Sequence, residues 1–167
     1  MKNFARLAAL AVIATAAATP AVAADGDPKA KASVKVTKPL TLAAEQDLNF
    51  GEVILVGDTT IKIDTSGNVD CGDPVNATCN DTGAQEARYR VTGSNNQQVT
   101  ITTPASTLGR VGGGGSVAFR PVVDTATITL PNSGATGMTF NVGGEIDLFD
   151  DTPGGDYEGD IEVTVQY

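Results

Sequence analysis

Along most of the 167-residue chain, apolar and polar side chains alternate with a period of two. Successive side chains of an extended strand point to opposite faces, so each such run predicts one strand with one inward face. Ala30, Ala32, Val34 and Val36 alternate with Lys31, Ser33, Lys35 and Thr37. The same phase resumes after Pro39 at Leu40 and Leu42 and continues through Leu48 and Phe50. At Gly51 it slips to Val53 and Leu55, which predicts a bulge or a strand that changes sheet. Further strands are predicted around Ile61 and Ile63, Ala87 to Val91, Val99 and Ile101, Val117 and Phe119, and Ala126 to Leu130. The stretch "MTFNVGGEIDLF" predicts two strands joined by a tight hairpin turn at Gly143-Gly144. The last run, 160–167, puts Ile161, Val163, Val165 and Tyr167 on one side and Glu162, Thr164 and Gln166 on the other. Residues 65–86 are polar and rich in turn formers, and predict a long surface loop.

About ten short strands in one domain predict an all-β fold, an immunoglobulin-like antiparallel β-sandwich, with a closed barrel as the alternative. Outside the first residues, no stretch has a helical period. Those first residues have another layout. Lys2 and Arg6 precede the short apolar run "LAALAVIATAAA", and "AVA" at 21–23 offers a small-residue cleavage site. Residues 1–24 therefore read as a secretory signal peptide, too short for a membrane span. Export through the Sec route and no membrane insertion of the mature chain follow as expectations. About 143 residues remain, the size of one domain.

Export changes the reading of the cysteines. Cys71 and Cys79 close a loop of about nine residues, and in an oxidising compartment such a pair is expected to form a disulfide. A metal site would need further soft ligands, and the chain contains no histidine. The triplets "NAT" at 76–78 and "NDT" at 80–82 match the glycosylation pattern but read here as loop chemistry.

Charge and chemistry narrow the function classes. Removing Lys2 and Arg6 with the leader takes the formal net charge from -9 to -11, which argues against nucleic-acid binding. The charge is polarised: Lys29, Lys31, Lys35 and Lys38 lie near the start, while the chain from Glu145 onward holds eight acids and no base. Nucleophile–base catalysis has no histidine to use, and Gly112–Gly115 lacks the Gly-Lys-Ser/Thr of a phosphate cradle. No enzymatic activity and no cofactor are expected. One dense oxygen-ligand cluster, Asp147, Asp150, Asp151 and Asp156 with Glu158 and Asp160, could hold calcium, but its spacing fits no EF-hand loop and reads better as a solvated acidic turn.

The motifs "LNFGEV" at 48–53, "VGGEIDL" at 142–148 and "GDYEGDIEVTVQY" at 155–167 together resemble chaperone–usher pilins, and most nearly an exported bacterial group catalogued as a domain of unknown function. The resemblance covers essentially the whole mature sequence. It implies an incomplete sandwich, residues 39–167, whose missing strand is donated by the N-terminal extension of the next subunit. Under it, residues 25–38 are the donor segment, with Ala30, Ala32, Val34 and Val36 as donor side chains. Ile161, Val163, Val165 and Tyr167 border the acceptor groove and form the chaperone-binding strand, with the Tyr167 carboxylate as the handle. Identical subunits head-to-tail, a periplasmic chaperone and an outer-membrane usher are the implied partners, and a surface pilus serving adhesion or biofilm formation is the implied product. Basic donor segments meeting an acidic receiving end would favour that head-to-tail order. The mid-chain cysteine pair departs from the many pilins that bridge earlier strands, and Lys38, in phase with the apolar residues, ends the donor strand at Thr37. The alternative is a self-complete secreted sandwich that binds carbohydrate or calcium as a monomer.

Overall fold

The computed structural model describes residues 29–131 and 136–167. The predicted leader, 1–24, and the first residues of the predicted extension, 25–28, lie outside the described residues. The chain divides into two units, Met1–Lys35 and Val36–Tyr167. In the first, residues 29–35 take no regular secondary structure and are exposed.

The second unit is all-β, and every strand pairing within it is antiparallel. Its strands are β1 Thr41–Gln46, β2 Glu52–Leu55, β3 Thr59–Ile63, β4 Val69–Asp70, β5 Ala77–Asn80, β6 Ala87–Thr92 and β7 Gln98–Thr102. They continue as β8 Ser106–Arg110, β9 Ser116–Val123, β10 Thr127–Thr129, β11 Met138–Leu148, β12 Tyr157–Glu158 and β13 Thr164–Gln166. Eight of them form one sheet, ordered β1-β6-β11-β9-β8-β12, with β3 also on β11 and β4 on β3. The others form two small sheets, β10-β7-β13 and β2-β5.

Packing makes these three sheets into two layers. Ala87, Val91, Phe140 and Val142 of the large sheet bury against Val99, Ile101 and Ile128 of β7 and β10. Ile61, Val117, Phe119, Ile146 and Leu148 of the same sheet bury against Ala77 of β5, with Val53 and Leu55 of β2 beside them. Each large apolar side chain so buried contributes roughly 1.5–3 kcal/mol. The large sheet is thus one continuous layer and the second layer is split into two pieces. All three sheets have open ends, so the fold is the expected antiparallel β-sandwich and not a closed barrel.

Three expectations are corrected. Residues 138–149 do not form a hairpin: β11 runs straight through Gly143-Gly144, pairing with β6 in its first half, β3 in its second and β9 along its other edge. The glycines serve close approach. A Cβ on Gly143 would press into the Ile63 carbonyl oxygen, and one on Gly144 into the ring edge of Phe119. The predicted loop 65–86 holds β4 and β5, with Cys71 and Cys79 joined by the expected disulfide, their Cα atoms 5.8 Å apart. The alternating run 30–36 is in no strand, because alternation supplies an apolar face but not a ladder partner.

Candidate functional site

Two segments change sheets, and an open space lies between them. The first is β1 to β2. β1 pairs with β6, shifts register between Ala44 and Gln46, and makes a bridge at Asn49–Gln85. At Gly51 the backbone turns with φ 78° and passes to the other layer, where β2 pairs with β5. Any side chain there would combine that left-handed geometry with a clash, since a Cβ would lie 2.5 Å from the Asn80 carbonyl oxygen. The second segment mirrors it: β12 pairs with β8 in the large sheet, residues 159–163 are in no strand, and β13 pairs with β7 in a small sheet.

Between these walls lies a furrow of about 1280 Å³. Its floor is the large sheet: Ala87, Leu108, Val117, Phe119, Ile146 and Leu148. Leu48, Phe50 and Val53 line one wall, Tyr157 and Ile161 the other. Phe50 meets Phe119 edge-on, ring centroids 6.1 Å apart. Leu48 and Ile161 each touch both core clusters, so the furrow opens where the second layer is split. Among the described residues, β2 pairs only with β5 and β13 only with β7, which leaves one edge of each without a described strand.

Of the predicted acceptor residues, Ile161 lines the furrow, while Val163, Val165 and Tyr167 lie beyond its lining. Ile161, Val163 and Val165 are half-buried against the first core cluster, as are Leu40 and Leu42. Tyr167 differs: it is 48% exposed, and its hydroxyl is what is held. Tyr167 Oη donates to the Lys38 carbonyl at 2.6 Å and accepts from the Ser94 N–H at 2.7 Å. The Lys38 N–H donates to Ser94 Oγ at 2.5 Å. This knot ties the root of β1, the end of β6 and the end of β13 together. The predicted donor residues Ala30, Ala32, Val34 and Val36 are all exposed, Val34 at 86% and Val36 at 79%.

The lips of the furrow are acidic. Asp47 and Glu52 stand on one, Asp156, Glu158 and Asp160 on the other, all exposed, and no lysine or arginine lines the furrow. Their field reaches the interior: burial pushes the Tyr89 hydroxyl above its ordinary pKa, and the charges of Asp47 and Asp160 add to the shift. The calcium candidates are dispersed. Asp147 is held in the sheet by Arg120, which also reaches Glu145, and by the Thr60 hydroxyl at 2.9 Å; these bonds lower its pKa to about 2. The Asp150 N–H donates to the Asp58 carboxylate at 2.9 Å, while Asp156 stands on the furrow lip. Among the described residues, no three acidic or cysteine side chains gather in a metal-binding group. Asn76 of the "NAT" triplet donates to the Asp58 carbonyl at 2.9 Å, in keeping with loop chemistry.

Sequence reasoning named Ile161 among the furrow's lining residues and missed the floor, the acidic lip at Asp47 and Glu52, and the partners of Tyr167. Only "LNFGEV", with its phase slip at Gly51, signalled the opposite wall. No curated protein and no solved structure matches the chain. A family model matches residues 40–167, which span both walls and both core clusters. The chain belongs to that family, described as a domain of unknown function, DUF4402.

Proposed function

We propose that the protein is the structural subunit of a bacterial surface pilus, polymerised by strand donation and serving adhesion or biofilm formation. The observation that carries this reading is the furrow: an apolar floor under a split layer, lined by residues of β2 and β12, each of which pairs with one strand only among the described residues. An extended segment laid there would complete the layer, its backbone bonding to the free edges and its alternate side chains filling the floor. Residues 25–38 of a second copy supply a fitting segment, with small Ala30 and Ala32 and larger Val34 and Val36 on one face. A contact in which one copy's segment enters the next copy's furrow does not close, and so grows a filament. In transit through the periplasm a chaperone strand would cover the furrow, gripping the Ile161–Tyr167 strand until an outer-membrane usher exchanges it.

The test is assembly by the mature chain and by variants lacking residues 25–38 or carrying Val34→Asp with Val36→Asp. The intact chain should give thread-like particles under negative stain and multimers that survive mild detergent until boiled. Both variants should fold and stay monomeric. Fibres formed by either variant would refute donation through this segment. An intact chain that stays monomeric and gives heat with millimolar calcium would favour the secreted binding module.

A further inference from the structure

We infer that the furrow selects its occupant by charge as well as shape: it takes a strand whose outward face carries lysines and rejects an acidic one. The inference rests on the strand-donation reading above and names the chemistry of the partner.

The argument begins with phase. In the C-terminal wall, Tyr157, Ile161, Val163 and Val165 are half-buried, while Asp156, Glu158, Asp160 and Glu162 alternate with them and are exposed. Four carboxylates therefore fall on exposed alternate positions of this wall, and Asp156, Glu158 and Asp160 among them line the furrow. A strand entering beside it with its apolar side down must present its other side next to that row. In residues 29–36 the apolar positions are 30, 32, 34 and 36, so the outward positions include Lys29, Lys31 and Lys35. Both sets of charges fall on alternate positions of the sequence, 29, 31 and 35 against 156, 158, 160 and 162. Asp47 and Glu52 on the opposite lip put carboxylates on both sides of the incoming strand, and none of the furrow's five acids has an ion-pair partner among the described residues.

The same row has a second consequence. β13 carries an edge with no strand beside it, the usual template for unwanted pairing between copies. Two copies meeting through their own 157–167 segments would set Glu158, Asp160 and Glu162 against like charges. The acids thus oppose edge-to-edge pairing and leave the lysine-bearing segment as the favoured entrant.

The test uses the refolded mature chain and three fluorescein-labelled peptides of residues 28–38: native, Lys→Gln at 29, 31 and 35, and Lys→Glu at the same positions. Binding is followed by anisotropy at 50 and 500 mM salt. The native peptide should bind about tenfold faster than the Gln peptide at low salt, the Glu peptide more slowly still, and the differences should collapse at high salt. A chain with Asp156→Lys, Glu158→Lys and Asp160→Lys, matched to the parent in thermal melting, should reverse the order and prefer the Glu peptide. Equal binding by all three peptides at low salt would overturn charge selection while leaving strand donation standing. No binding by any peptide would overturn both.

Discussion

Replacing Tyr167 with Phe removes one oxygen and leaves the ring, so it isolates the knot at the root of β1. The lost oxygen strands the Ser94 N–H and the Lys38 carbonyl. The two losses differ. Ser94 is buried, and an unmet donor there costs about 1–3 kcal/mol. Lys38 is exposed, so water replaces the hydroxyl at its carbonyl at little cost. The sum is about 1–3 kcal/mol. Urea unfolding of the monomer, isolated by gel filtration, is the assay. With a slope of about 2 kcal/mol/M the midpoint should fall by roughly 0.5–1.5 M with the slope unchanged. Gly93→Ala attacks the same oxygen from below, since its Cβ would lie 2.5 Å from Tyr167 Oη and 2.8 Å from Leu40 Cδ2. It should cost at least as much. A Tyr167→Phe midpoint within about 0.1 M of the parent would refute the assignment of the hydroxyl as the fastening, leaving ring packing as all that Tyr167 contributes.

Other outcomes follow from the core and its charges. Gly143→Ala should destabilise by more than about 2 kcal/mol, because its Cβ would meet backbone atoms of Ile63 and Asp64 that cannot yield, while Gly144→Ala should cost about 1–3 kcal/mol by displacing Phe119; equilibrium unfolding of both variants decides. Cys71→Ala with Cys79→Ala should cost roughly 2.5 kcal/mol by releasing the loop between them, measured against the oxidised parent in urea. The Asp147 carboxyl titrates at about 2 when folded against an ordinary 3.8, chiefly because Arg120 and then Thr60 bond to the charged form. A depressed folded pKa stabilises above the unfolded value and loses that contribution as pH falls through the folded one. The parent should therefore lose stability between about pH 4 and pH 2 more steeply than Asp147→Asn, and parallel midpoints across that window would count against the pairing.

What the sequence discloses, and what it withholds, divides along a physical line. Alternation reports which side chains face inward, and there it served well: Ile61 and Ile63, Val99 and Ile101, Val117 and Phe119 are all buried as their phase requires. The slip at Gly51 was also legible, because passing between layers needs a residue free to take φ 78° where a Cβ would strike the opposite strand. Gly143-Gly144 misled because a glycine pair looks the same whether it turns the chain or lets another strand come close. The distinction lies in Ile63 and Phe119, about 80 and 25 residues away in sequence. β4 and β5 were hidden by their shortness and by polar loop composition, and their pairing depends on β3 and β2.

The same limit governs the site. Ile161, Val163 and Val165 alternate as any half-buried strand does, and nothing in that run says whether its second neighbour belongs to the same molecule. Tyr167 looked inward by phase, yet its ring is half exposed and its oxygen makes the contacts, because Ser94 and Lys38 reach it from elsewhere in the chain. Pairing is a property of two segments, and a run of residues records only its own half. Under the proposed strand donation the other half would lie in the furrow between β2 and the approach to β13, which has carboxylates on both lips. Within the chain, the lysine-bearing stretch 29–36 has the matching alternation and the opposite charge. Under the proposed strand donation, shape alone would admit many alternating strands, whereas shape and charge together would restrict the fit to segments of that kind, such as the one a second copy of the same chain carries.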